Sequence, residues 1–125
     1  MGRIRKMIDV RGRPSWTLFD SGARNTYVVP DVAARLLTTD LPSPMHTRLG
    51  GETKTSSRAA VLIGEIAGKA FHTEAIAIDS IGVDDVGKPI EILFGALAMQ
   101  QWGIRLVPET EDLDLSHYPV VFVEF

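Results

Sequence analysis

The sequence predicts an all-β fold, and three observations carry the prediction. The apolar runs are short and rich in Val, Ile, Thr and aromatic residues. Turn-forming residues interrupt them at close intervals. Glycines at Gly12, Gly50-Gly51 and Gly68 fall between paired runs, which is the pattern of hairpins. With 125 residues, the chain has the size of one hydrophobic core, so a single domain over 1–125 is expected.

The elements follow in order. Arg3, Arg5 and Lys6 alternate with Ile4 as the solvated face of a strand. Met7 to Val10 and Ser15 to Phe19 flank Arg11-Gly12-Arg13-Pro14, a hairpin turn. Thr26 to Val29 is a β-branched and aromatic strand stopped by Pro30, and Asp31 to Leu37 offers one or two helical turns. Leu41-Pro42-Ser43-Pro44 reads as a rigid connector. His46 to Leu49 and Thr53 to Ser57 bracket the glycine pair, and Ala59 to Ile66 and Ala70 to Ile78 bracket Ala67-Gly68-Lys69. Asp79 to Pro89 reads as a loop, and Ile90 to Phe94 as a densely apolar strand broken at Gly95. Ala96 to Trp102 is helical, since Ala98 and Met99 precede Trp102 by four and three residues and Gly103 stands at the C-cap. Trp102 and Leu97 are expected in the core. Ile104 to Val107 and Pro119 to Phe125 are the last strand candidates, separated by the acidic stretch Glu109 to Asp114.

Composition narrows the functional classes. The formal net charge of −3 gives no basic footprint for nucleic acid. The absence of cysteine excludes disulfides, thiolate catalysis and cysteine-bound metal. No apolar run approaches the roughly 20 residues of a membrane span, and no secretory h-region opens the chain, so a cytoplasmic protein is the default expectation. His46, His72 and His117 have no metal-ligand spacing, and neither metal nor cofactor is expected. Glu109, Glu111, Asp112 and Asp114 lack the spacing of a calcium loop and read as a solvated stretch. Gly64 and Gly68 read as turn glycines rather than a phosphate loop.

Two places depart from plain β architecture: Leu18-Phe19-Asp20-Ser21-Gly22-Ala23 and Ile92-Leu93-Phe94-Gly95-Ala96. Asp20-Ser21-Gly22 alone suits a turn at a strand end. Ser21 has no Gly-x-Ser-x-Gly elbow and no adjacent base, which argues against a serine nucleophile.

In this order and separation, the two motifs resemble the single-domain retropepsin-like aspartic proteases, over roughly Met7 to Pro108. The version ILFGALAMQQWGIRLVP looks most like the bacterial and archaeal branch. The resemblance implies a closed acid-protease barrel with one short helix in the C-terminal half, a polypeptide substrate and no cofactor. It also implies a catalytic role for Asp20. Because there is one such motif per chain, it implies a two-fold homodimer in which each subunit contributes one Asp20. Two carboxylates about 3 Å apart cannot both ionise, so one can take a proton from water while the other polarises the scissile carbonyl.

By the same resemblance, Ser21 hydrogen-bonds across the two-fold axis and supports the carboxylates. Gly22 lets backbone approach the dyad, and Ala23 begins the cleft wall. Gly95 lets the second apolar strand turn behind the aspartate loop. By position, Leu49, Gly50 and Gly51 fall in a flap that closes over an extended peptide. Ala96 stands where viral members often carry Arg, and Arg24 and Asn25 where they carry an acid, so their interface ion pair has no counterpart. The stretch LDLSHYPVVFVEF exceeds a minimal tail; Val120 to Phe125 suits either an interface strand or a cover for its own subunit. A catalytically inactive dimer that binds peptide or joins partners is the alternative reading.

Overall fold

A computed structural model describes residues 2–125 of the chain. Strands β1 (Arg3–Val10) and β2 (Arg13–Asp20) form an antiparallel hairpin in which Arg3 stands opposite Asp20. Its turn is tighter than expected: only Arg11 and Gly12 lie outside the ladder, both at positive φ (56° and 85°), which matches the twist of the two strands. Ile4, Ile8 and Val10 of β1 and Ser15, Thr17 and Phe19 of β2 point inward, following the two-residue period.

Strand β3 (Tyr27–Val28) leads into helix α1 (Pro30–Ala33), with proline in the first turn where its missing N–H costs nothing. Strand β4 (Leu37–Leu49) pairs with β5 (Glu52–Ile66) around the Gly50-Gly51 turn, and β5 pairs in turn with β6 (Lys69–Ala77). Strand β7 (Ile92–Phe94) precedes helix α2 (Ala96–Gln101), and β8 (Arg105–Val107) pairs with β9 (Asp112–Asp114) as a separate ribbon.

The main sheet runs β1-β2-β7-β3-β6-β5-β4, and β1 also meets β5 through Asp9 and Glu65. Strand β7 lies between β2, to which it is parallel, and β3, to which it is antiparallel. Both of its faces are covered, which explains the unbroken apolar run Ile92-Leu93-Phe94. Ile92 and Phe94 enter the main core, where Phe94 contacts Phe19 and Phe71 at centroid distances of 4.9 and 5.3 Å. Leu93 faces the other way, into a smaller cluster with Tyr27, Ile76 and Ile78.

Several expectations are corrected. Leu41-Pro42-Ser43-Pro44 lies within β4 rather than between elements. The strand tolerates both prolines because it is the terminal strand of the sheet and its register with β5 is irregular between Asp40 and Met45. Helix α1 ends at Ala33, and Leu37 already belongs to β4. The strand at Ile90 begins only at Ile92, and that at Thr26 only at Tyr27. Pro119 to Phe125, expected as a strand, forms none, and the acidic stretch supplies β9, the partner of β8. In that tail Val120, Val121, Phe122, Val123 and Phe125 are exposed. Leu97 is exposed as well, on the outer face of α2, whereas Trp102 is buried.

Candidate active site

Parallel pairing of β2 and β7 sets Phe19 beside Phe94, so both strands end together and Asp20 emerges next to Gly95. Between β2 and β3 the chain loops through Ser21 to Thr26. That loop is pinned from behind. Thr26 is buried, and its hydroxyl oxygen accepts the Gly95 N–H at 3.1 Å. The Ala96 and Leu97 N–H groups, unpaired within α2, donate to the carbonyls of Ala23 and Arg24 at 2.7 and 3.1 Å. The approach is so close that a β-carbon on Gly95 would stand 2.1 Å from the Asn25 carbonyl oxygen. Only glycine fits there.

Asp20 is 6% exposed and both of its carboxylate oxygens are engaged. Oδ1 accepts the Gly22 N–H at 2.8 Å, closing a turn on the aspartate's own backbone, and Oδ2 lies 3.3 Å from Arg3 Nε. Within the single chain, Ser21 is held by Gly2. The Ser21 N–H donates to the Gly2 carbonyl at 3.1 Å, while the Ser21 hydroxyl accepts the Gly2 N–H at 2.9 Å and donates to the Gly2 carbonyl at 3.3 Å.

In front of Asp20 opens a cleft of about 710 Å³. Gly22 and Ala23 line it on the aspartate side, and Leu49 and Gly50 on the side of the β4–β5 tip. Its apolar floor is Leu18, Tyr27 and Leu93, with Ile81 and Ile90 at one side. Leu49 packs onto the Tyr27 cluster, and the Tyr27 hydroxyl hydrogen-bonds that of Thr47 at 2.8 Å, tying the hairpin to the floor. The structure therefore brings Asp20, Gly22, Ala23, Leu49 and Gly50 to one cavity. Ser21 borders a neighbouring depression with Gly2 and Ala96, and Gly51 caps the hairpin away from the cleft lining.

Charges around the cleft are uneven. Lys54, three residues past the Gly50-Gly51 tip, reaches Glu52, Asp79 and the Ser80 hydroxyl at 3.2, 3.1 and 3.0 Å. The hydrogen bond to Asp79 raises the Lys54 pKa and, reciprocally, lowers that of Asp79. Asp84 anchors the 79–89 loop. Burial acts to raise its pKa, but hydrogen bonds from the Lys88 N–H, the Trp16 indole and the Val86 N–H together outweigh burial and lower it. Three arginines, Arg3, Arg24 and Arg48, line the cleft. Sequence reasoning assigned none of them to it, because no local signal reports the β1–β2 register or the hairpin's lean.

The histidines stand apart. His46 meets Thr55, His117 meets Ser116, and His72 lies edge-on to Trp102. Among the described residues no group of three or more His, Asp or Glu gathers as for a metal ion, and no helix is long and apolar enough to cross a membrane.

No family model matches the sequence, and no curated protein does. Solved structures match the fold. The retroviral protease-like domain of Ddi1 from Leishmania major superposes with a TM-score of 0.65 at 12% identity, over 93% of this chain and 90% of that one. The EIAV protease complexed with the inhibitor HBY-793 gives 0.60 at 15% identity, over 85% and 93%. The foamy viral protease-reverse transcriptase in complex with an RNA/DNA hybrid gives 0.55 at 11% identity, over 80% of this chain and 12% of that one. The fold is retropepsin-like.

Proposed function

We propose that the chain is one half of a homodimeric aspartic endopeptidase whose barrel closes around the main core, of the bacterial and archaeal type suggested by Gly95-Ala96-Leu97-Ala98 and the helix behind it. The observation that carries this reading is Asp20 itself. A carboxylate only 6% exposed lies at the end of β2, beside a loop locked by Gly95, beneath a glycine-tipped hairpin and open to a peptide-sized cleft. A strand-end turn needs none of the last three features.

In the proposed dimer, two Asp20 carboxylates meet at the two-fold axis and share one proton. One takes a proton from water as the water attacks the scissile carbonyl, and the other donates its proton to the carbonyl oxygen. The resulting diol collapses as the amide nitrogen is protonated and leaves. Ser21 supports the dyad after exchanging its Gly2 partners for the opposite subunit, and Gly22 and Ala23 flank the bound peptide. Leu49, Gly50 and Gly51 close over the substrate as a flap, excluding water from the reacting bond.

A second reading has one specific observation in its favour. Arg3 already satisfies Asp20 within the chain, which suits a dimer that binds peptide without cutting it. Turnover separates the two. Wild type and Asp20→Asn are incubated with a diverse peptide mixture between about pH 4 and about pH 7, and products are read by mass spectrometry. Cleavage by the wild type that vanishes in Asp20→Asn supports the endopeptidase. A confirmed dimer with no cleavage supports the binding module, and equal cleavage by both proteins removes Asp20 from the chemistry.

A further inference from the structure

The cleft's charge points to what it holds. Its lining includes five formally charged side chains: Arg3, Arg24 and Arg48 against Asp20 and Glu52. Both acids are already partnered, Asp20 by Arg3 and Glu52 by Lys54. Arg24 and Arg48 are exposed, and among the described residues neither forms an ion pair. The one bond the Arg48 guanidinium makes is a 3.5 Å contact from Nη2 to the Gly51 carbonyl. Two arginines without an ion pair among the described residues thus line the cleft, one on the aspartate loop and one on the hairpin, in a chain whose net charge is −3. That concentration of positive charge runs against the rest of the protein.

We infer that the cleft selects acidic peptides, with Arg24 and Arg48 as the residues that determine specificity. The inference rests on the reading of this cleft as a peptide-binding groove. Leu18, Tyr27, Leu49 and Leu93 offer apolar contact to the residues at the centre of an extended peptide. Arg24 and Arg48 take carboxylate side chains on either side of that centre. A guanidinium presents a planar fork of donors that matches a carboxylate bidentately, whereas a basic peptide side chain meets like charge. In a two-fold dimer each arginine appears twice, once on each half of the groove, so the preference extends to both sides of the centre.

The test uses three decapeptides with the same central pair of apolar residues, flanked by Glu, Gln or Lys. Binding to Asp20→Asn protein is followed by fluorescence anisotropy, which needs no turnover, and cleavage by the wild type is measured in parallel. The Glu peptide is expected to bind about tenfold more tightly than the Gln peptide, and the Lys peptide more weakly than either. Arg24→Gln and Arg48→Gln are each expected to weaken the Glu peptide about threefold and the Gln peptide distinctly less. Arg24→Lys and Arg48→Lys should recover part of the loss, and high salt should level the series. Equal binding of the Glu and Gln peptides overturns the inference. So does binding of none of the three, or a loss on arginine substitution that is the same for the Glu and Gln peptides. Both substituted side chains are exposed, so the variants should fold, and circular dichroism confirms it. Selective binding of the Glu peptide without cleavage supports the acidic preference while counting against the endopeptidase.

Discussion

Arg3 and Asp20 stand opposite each other across the β1–β2 ladder, and their side chains meet, Arg3 Nε 3.3 Å from Asp20 Oδ2. The guanidinium is 64% exposed while the carboxylate is almost covered, so solvent screens the pair and its worth to the fold is at most about 1 kcal/mol. Its consequence for the proposed chemistry is larger. Arg3 occupies Oδ2, an oxygen that the proposed dyad needs free for water and for the opposite carboxylate. Arg3→Gln is therefore expected to change thermal stability little and to raise kcat/KM about three- to tenfold. Steady-state rates of the two proteins on one peptide check this. A fall in rate comparable to that of Asp20→Asn would instead put Arg3 in the machinery.

Gly95 offers a sharper test of how the aspartate is held. A β-carbon there would overlap the Asn25 carbonyl oxygen and crowd that of Arg24, both backbone atoms that cannot rotate aside. Gly95→Ala should force β7 and the aspartate loop apart, breaking the Gly95–Thr26 and Ala96–Ala23 hydrogen bonds. A loss of roughly 3 kcal/mol is expected from the overlap, with cleavage abolished even where the variant still folds. Urea unfolding followed by activity at low temperature separates the two effects. By contrast Gly50→Ala meets no atom, and its cost is only that of a positive φ for a residue with a side chain.

Acid should release the 79–89 loop before the core gives way. Asp84 accepts the Trp16 indole N–H at 2.9 Å and the N–H groups of Val86 and Lys88 at 3.0 and 2.8 Å. Its pKa is depressed from the ordinary 3.8, so the stability it contributes is present above that value and is lost as the pH falls below it. Lys88 Nζ also sits 4.2 Å from the centre of the Trp16 ring, so the indole reports on the whole loop. Trp16 emission is expected to shift below about pH 4 while far-ultraviolet circular dichroism holds. The other tryptophan, Trp102, donates to the His72 carbonyl, which does not titrate. Asp84→Asn should abolish the acid transition and leave a smaller signal at every pH.

What could be read in the sequence was local. Gly12, Gly50-Gly51 and Gly68 mark their hairpins because a tight turn needs positive φ where it occurs. Asp20 at the end of one apolar run and Gly95 at the end of another were legible as a pair because the runs themselves are distinctive. What escaped depended on partners far along the chain. Pro42 and Pro44 look like breakers until β4 is known to be a terminal strand, where an absent N–H leaves no central ladder unmade. Pro119 to Phe125 has a strand's composition, but the position beside β8 is taken by Asp112–Asp114, whose acidity suggested only a loop. The hold of Gly2 on Ser21, and of Arg3 on Asp20, follows from a register that no short stretch reveals.

The tail is the remaining choice between an interface strand and a cover for its own subunit. Helix α2 separates its attachment from the aspartate: Gly95 begins the helix against the Asp20 loop, whereas Trp102 ends it against Tyr118 and Phe122, at centroid distances of 5.6 and 5.7 Å. Tyr118 is fixed further by its hydroxyl, which donates to the Ala70 carbonyl at 2.6 Å, and burial pushes its pKa up to about 12. Beyond it, Phe122 alone touches the body through an aromatic contact, worth about 1 kcal/mol. A chain ending at Tyr118 is therefore expected to lose about that much stability, to keep wild-type cleavage within about twofold, and to sediment as the full chain does. If residues 119–125 instead form the interface strand, the shortened chain will sediment as a monomer and lose cleavage together with its dimer. Analytical ultracentrifugation of the two lengths at matched concentration decides between them.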